Sequence, residues 1–235
     1  VIAKRFPRDE FQAFADMKKA CQRPGLASKA FYSYPRGGET ISGPTIRLAE
    51  ELARCWRNIE YGIKELSQDN GKSEMQAFAW DLEANTMSVQ NFTNPHAREV
   101  KSKGQTTVKQ LTSLRDIYEN NANMAGRRLR ARILAVLPAD FVEEAISECK
   151  KTLAGKNDTP LADRVRNMIV QFEKLGVTRE MIEKRLNRSI DTMNAAALTD
   201  YVGIYNSLKE QQTKISDWFE YAQESDLTAK LEEVL

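Results

Sequence analysis

Cysteine and histidine are scarce in this chain: three of the first and one of the second among 235 residues. Cys21, Cys55 and Cys149 are far apart and odd in number. That argues against a disulfide framework and fits free thiols in a reducing cytosol. No Cys/His cluster has zinc-ligand spacing, and no metal or other cofactor is expected. Histidine-based catalysis would rest on His96 alone, which follows Pro95 and reads as a loop residue. No apolar run approaches the ~18 residues that a membrane span needs. Residues 1–14 mix Lys4, Arg5 and Arg8 with Asp9 and Glu10 and lack the apolar core of a signal peptide. The missing initiator methionine points to a start inside a longer chain. There is no GxxxxGKS/T phosphate loop, no GxGxxG and no GxSxG elbow, which argues against ATP-driven motors, dinucleotide enzymes and serine hydrolases. The expectation is a protein that is not an enzyme.

What is present is ordinary globular material with an uneven charge. Apolar residues make up 41% and charged residues 29%, enough for a real core and too apolar for disorder. The net charge of +2 hides an asymmetry. Residues 1–153 hold 24 Lys/Arg against 19 Asp/Glu, and residues 154–235 hold 11 against 14. Residues 98–132 hold nine basic and three acidic side chains. A local excess of that size favours a polyanionic partner.

The pattern along the chain predicts an α+β fold. Residues 6–21 read as a helix that "RPG" ends, and residues 30–38 as an aromatic strand. Residues 42–58 read as a strong helix with Pro44 in its first turn and Ile46, Ala49, Leu52, Ala53 and Trp56 at helical spacing. The period then becomes two. Ile59, Tyr61 and Ile63, then Phe78, Trp80 and Leu82, then residues 86–92 predict a three-stranded antiparallel meander with turns at "DNG" and "EAN". Residues 94–112 lose the pattern and read as a long mobile loop or a β-excursion. "SLRD" (residues 113–116) has the form of a capping box. It opens a long basic helix to about Leu137, with an apolar stripe of Tyr118, Ala122, Ala125, Leu129, Ile133 and Val136. Gly126 sits in mid-helix, tolerated where a backbone must come close. A helix over 139–153 follows. The expected organisation is a core of residues 1–153, a linker at 154–160, a small helical module over 161–221 and a polar tail over 222–235. In the module, helices are expected at 161–175, 178–186 and 195–211.

The chemistry concentrates in "MAGRRLRARIL". Arg127, Arg128, Arg130 and Arg132 fall within six residues, with no acid within four positions of the run. Local i,i+4 pairing therefore cannot neutralise them. Arginine stays charged and forks onto phosphate oxygens. Asn120, Asn121 and Asn123 lie one turn earlier and could bond phosphates, sugars or base edges. The preceding segment adds Arg98, Lys101, Lys103 and Lys109, joined to the helix through Arg115. Together these predict a basic groove. A single-strand site also uses aromatics to stack bases. Of Tyr32, Tyr34, Tyr61, Phe78, Trp80 and Phe92 most are expected in the core, and Tyr34-Pro35-Arg36 is the best exposed candidate. A solvated helix face or a subunit contact are the bland alternatives for the arginines. The acids offer less: Glu148-Cys149-Lys150 spells E-x-K but falls on a helix, and Asp81 and Glu83 lie at a hairpin.

The stretches "YSYPRGGETISGPTIRLAEELARCWRNIEYGI" and "DIYENNANMAGRRLRARILAVLPADFVEEA", with the meander between them, resemble phage single-strand DNA annealing proteins of the RecT/Beta/Erf kind. The likeness covers about residues 30–153 and rests on motif order and the basic helix. It implies ATP-independent binding of single-stranded DNA and annealing of complementary strands in phage homologous recombination. It also implies ring or filament homo-oligomers in a bacterial cytoplasm. It assigns backbone contacts to Lys101, Lys103, Arg115, Arg127, Arg128 and Arg132. The helical module would meet a phage exonuclease or a host single-strand-binding protein. Two further readings stand beside it: a single-strand-binding replication accessory protein that coats without annealing, and a metal-dependent nuclease. RNA phosphates would serve the same arginines.

Overall fold

The computed structural model describes residues 1–69, 71–102, 105–155 and 159–220. In chain order its elements are α1 (Ile2–Arg5), α2 (Glu10–Cys21), α3 (Pro24–Ala27), β1 (Phe31–Arg36), β2 (Glu39–Pro44), α4 (Ile46–Trp56), β3 (Ile59–Asp69), β4 (Lys72–Asp81) and β5 (Thr86–Pro95). There follow β6 (Ala97–Ser102), β7 (Gln105–Gln110), α5 (Leu114–Leu134), α6 (Ala139–Ala154), α7 (Leu161–Glu173), α8 (Arg179–Leu186) and α9 (Ala195–Lys209). Short 3-10 turns lie at Ile190–Thr192 and Ile215–Asp217. The fold is α+β, as the periodicity predicts. Lys103, the middle of the expected linker and the polar tail lie outside the described residues.

The chain forms two compact units, Val1–Cys21 with Thr45–Ala145, and Gln22–Pro44 with Ile146–Leu235. The first unit is built on the meander, an antiparallel sheet in the order β3-β4-β5. β4 pairs from Lys72↔Asp69 to Asp81↔Ile59 on one side and from Lys72↔Pro95 to Asp81↔Thr86 on the other. Alternation sorts its side chains: Ser73, Met75, Ala77 and Ala79 are buried, while Lys72 and Glu74 are exposed. α5 packs on this sheet. Beside it, α2 and α4 bury Met17, Leu48, Leu52 and Trp56. Phe141 closes that core edge-on to Phe14 at 5.0 Å and tilted on Trp56 at 5.0 Å.

Two helix starts differ from the sequence pattern. α2 begins at Glu10, not residue 6, because Arg8 is drawn to the β4–β5 turn. Its backbone N–H and Nε donate to Glu83 Oε2 at 2.9 and 3.0 Å, and its guanidinium pairs with Asp81. α4 begins at Ile46, where the Thr45 hydroxyl accepts from the Leu48 N–H at 3.4 Å. The residues expected to open it, Ser42 to Pro44, belong to β2 and pair with Ser33, Tyr32 and Phe31. Gly37 and Gly38, at φ +61° and +85°, turn the chain back there. Glycine takes both positions at no steric cost.

The second unit joins this β1–β2 hairpin to α7, α8 and α9. Gly203 of α9 lies against Phe31 and Ser33, and the Asn206 amide donates to the carbonyls of Ser28 and Phe31 at 3.0 and 2.8 Å. Phe172, Val177, Ile182 and Ile204 form the centre of its core. Thr178 caps α8 as the sequence predicts, accepting from Met181 N–H at 3.4 Å. The units divide the chain within α6 and around residues 22–44. The hairpin's apolar side chains find their partners on α9, more than 150 residues away in sequence.

Candidate nucleic-acid interface

α5 buries Ile117, Asn121, Ala125, Leu129 and Ile133, each four residues from the last. The expected stripe through Tyr118 and Ala122 is one residue off in the first two turns: Tyr118 is 70% exposed, and the polar Asn121 takes the buried place. Ser113 is the N-cap, but its side chain makes no capping hydrogen bond, so the expected capping box does not form. A Cβ on Gly126 would meet nothing within 4 Å, so no close approach explains this glycine.

Asn121 is the centre of a buried polar cluster. Its Nδ2 donates to Ser73 Oγ at 2.9 Å and Glu65 Oε1 at 3.1 Å, and its Oδ1 accepts from Asn94 Nδ2 at 2.7 Å. Ser73 Oγ also lies 2.8 Å from His96 Nε2. The backbone of His96 donates to Gly71 at 2.7 Å and accepts from Leu111 N–H at 2.8 Å. His96 is therefore a buried junction residue at the bend between β5 and β6. It fixes the root of an antiparallel ribbon, β6–β7, which takes the place of the unpatterned segment. The excursion reading of residues 94–112 holds. Asn120 donates to the Pro95 carbonyl at 3.2 Å, so two of the three asparagines serve the fold and Asn123 alone is exposed without such a role.

The opposite surface of α5 is mixed at its N-terminal end, where the exposed Asp116 and Glu119 lie beside Arg115, and turns basic toward its C-terminal half. Arg115, Asn123 and Arg127 are exposed, with Asn123 and Arg127 one turn apart. Arg128, Arg130 and Arg132 are half-buried on the flanks. The Arg128 guanidinium lies 4.3 Å over the Phe92 ring of β5 and donates to the Met124 carbonyl at 2.9 Å. Its stem is thereby held to the sheet while the charge stays at the surface. Arg132 Nε is buried with no hydrogen-bond partner among the described residues. In the ribbon, Arg98 stands directly opposite Lys109, and both are exposed. Lys101 pairs in register with Thr106. Among the described residues, Arg98, Lys109, Arg115, Arg128 and Arg132 form no ion pair. Cations that pair in this unit include Lys18 with Glu144, Arg54 with Glu51, Arg57 with Asp16, and Arg8.

Twelve residues separate Arg115 from Arg127 on one helix. At 1.5 Å per residue that is about 18 Å, with the exposed Glu119 one turn after Arg115 and Asn123 one turn before Arg127. The ribbon root lies at the N-terminal end of this line, because Leu111, Asn120 and Asn121 tie β5 and β7 to the start of α5. Tyr34 and Arg36 are not in this unit. Tyr34 stacks on Tyr32 at 5.9 Å in the β1–β2 hairpin of the second unit, next to the turn that begins at Arg36.

The acidic candidates are engaged in structure. Asp81 accepts the N–H groups of Glu83 and Ala84 at 3.0 Å as well as Arg8. The hydrogen bond from the Arg8 N–H, aided by the Asn58 amide and the Arg8 guanidinium, holds the Glu83 carboxyl down to about 2. Glu148 pairs with Lys151 at 2.6 Å, and Lys150 donates to Ser42 at 2.8 Å. Among the described residues, no group of three His, Cys, Asp or Glu side chains is placed to hold a metal ion. The three cysteines form no disulfide among the described residues and are buried, and burial pushes the Cys55 thiol up to about 11. No described helix is long and apolar enough to cross a membrane. No protein-family model matches the chain, and neither the curated proteins nor the solved structures give a match.

Proposed function

We propose that this protein binds single-stranded DNA along the outer face of α5 and the β6–β7 ribbon, and anneals complementary strands without ATP. The observation that carries the reading is the exposure of Arg98, Lys109, Arg115 and Arg127 in the first unit, with no acid within four residues of the arginine run. Such a surface binds the backbone and releases counterions, and it leaves base edges free. Annealing needs nothing more than an extended strand whose phosphate repulsion is shielded while a partner is sampled. The resemblance of residues 30–153 to phage annealing proteins points the same way. On this reading the protein works as an oligomer in a bacterial cytoplasm, and the second unit serves protein partners.

The test is annealing of two complementary oligonucleotides, one carrying a fluorophore and one a quencher, with neither ATP nor metal. Protein-dependent acceleration of quenching that fails as salt rises is the expected result. Tight binding with slowed quenching would move the assignment to a coating protein. Absence of binding at low salt would overturn it and leave the arginines to subunit contacts. An RNA strand of the same sequence, run as competitor, separates the two nucleic acids.

A further inference from the structure

The three-stranded sheet ends in two unlike edges. β3 is one edge and β5 the other. β3 carries Glu60, Lys64, Glu65 and Asp69, and a bulge between Glu65 and Ser67 breaks its register. Charges and bulges are the devices that keep an edge from recruiting another strand. β5 has neither. Its ten residues, TMSVQNFTNP, contain no charged side chain, and its pairing with β4 runs unbroken from Thr86 to Pro95. Met87 is 52% exposed and Val89 is 42% exposed. They sit opposite Trp80 and Phe78 of β4, on the sheet face away from the buried row of Ser73, Met75, Ala77 and Ala79. A long, regular, uncharged edge with exposed apolar residues is a template for strand addition.

We propose that β5 pairs antiparallel with β5 of a second copy of this chain, joining two meanders into one six-stranded sheet. The partner follows from charge and symmetry. A two-fold pairing brings residues near the axis against their own copies, so a charge near the middle of β5 would meet a like charge. A strand with none is its own complement. Pairing β5 with β3 of another copy would instead meet the bulge and four charges. The two-fold keeps corresponding faces together, so the exposed Met87 and Val89 of the two copies lie on the same face of the joined sheet. This dimer does not depend on the proposed DNA activity and is measured without DNA.

The test is sedimentation equilibrium of the full chain in DNA-free buffer, for the wild type, Val89→Lys, Val89→Glu and an equimolar mixture of the two variants. Val89 is outside the proposed DNA-binding set, and circular dichroism reports whether each variant folds. The wild type is expected to form dimers or multiples of them. Each single variant should dissociate about tenfold more readily, one decade in Kd, and the mixture should recover. A second arm uses Val89→Cys, read against the three buried native thiols. It should yield a covalent dimer on mild oxidation, and Ile63→Cys on β3 should not. A monomeric wild type at high concentration, association unchanged in folded Val89→Lys, or equal cross-linking at Ile63 would each overturn the proposal.

Discussion

Arg98 and Lys109 face each other directly across the two strands of the β6–β7 ribbon. Like charges at a directly opposed pair destabilise a ladder, and a ribbon of two strands has little stability to spare. A polyanion lying over both would turn this repulsion into attraction. Arg98→Glu creates an opposite-charge pair in its place. Amide exchange in the ribbon should slow, while affinity for single-stranded DNA falls and the salt slope flattens by about 0.7 for each phosphate no longer neutralised. A tighter ribbon with unchanged affinity would remove β6–β7 from the interface.

Arg127 and Arg128 carry the same test onto α5. Arg127 is exposed, and Arg128 lies over Phe92. Arg127→Ala with Arg128→Ala should weaken DNA binding and flatten the salt slope by about 1.4, equivalent to two phosphates on a single strand. Removing the guanidinium from the Phe92 ring should cost about 0.5–1 kcal/mol of stability, since part of the pair is solvated. Titrations at several salt concentrations, with thermal melts, read both. Unchanged affinity in a folded double variant would sink the groove assignment.

Asn121 and Asn123 look alike in sequence and should behave differently. Asn121 satisfies Ser73, Glu65 and Asn94 inside the fold. Asn121→Leu leaves those groups without it and should destabilise the first unit by about 1–3 kcal/mol for the unpaired groups. Asn123→Ala should leave the melting temperature unchanged and lower DNA affinity slightly. Equal stability of the two variants in chemical denaturation would contradict the cluster.

Much of this architecture is legible in the chain. Period-two alternation marks β3, β4 and β5, and Thr178 marks the start of α8. What escapes is long-range. Residues 42–44 read as a helix opening because Pro44 suits a first turn and the apolar spacing follows it. Their strand pairing depends on the Gly37-Gly38 turn and on α9, far away in sequence. The α5 stripe is misread because Asn121 is polar. Its place in the buried row, four residues from Ile117 and Ala125, is the signal that a strict search for apolar residues passes over. His96 beside a proline gives no hint of Ser73, which lies across the sheet. The arginine run is a local feature of consecutive residues, so the basic face of α5 is legible from the residues themselves.

Glu83 gives a pH dependence. Its carboxyl is held from an ordinary value of 4.5 down to about 2, chiefly by the Arg8 N–H and then by Asn58. A carboxylate lowered in the fold contributes stability above its unfolded value and loses it as pH falls through the folded one. The contribution is therefore full above about 4.5 and gone below about 2. Glu83→Gln should be less stable at neutral pH and should lose less stability than the wild type across that window. Parallel acid titration curves for the two proteins would show that Glu83 carries none of the difference.

Gly203 explains why the hairpin belongs with the C-terminal helices. A Cβ there would lie 2.2 Å from Ser33 Oγ and 3.1 Å from the Phe31 ring. Phe31 and Ser33 are themselves fully buried, so neither has room to move aside. Gly203→Ala favours the helix by about 1 kcal/mol through propensity alone. Overpacking of a close contact costs about 1–3 kcal/mol and should win here. The second unit should unfold earlier on heating, while the Arg127 and Arg128 surface of the first unit keeps its DNA affinity below that transition. A matched variant, Ser33→Ala with Gly203→Ala, relieves the shorter contact and should recover part of the stability. An unaltered melt in Gly203→Ala would mean that the hairpin does not rest on α9 at this point.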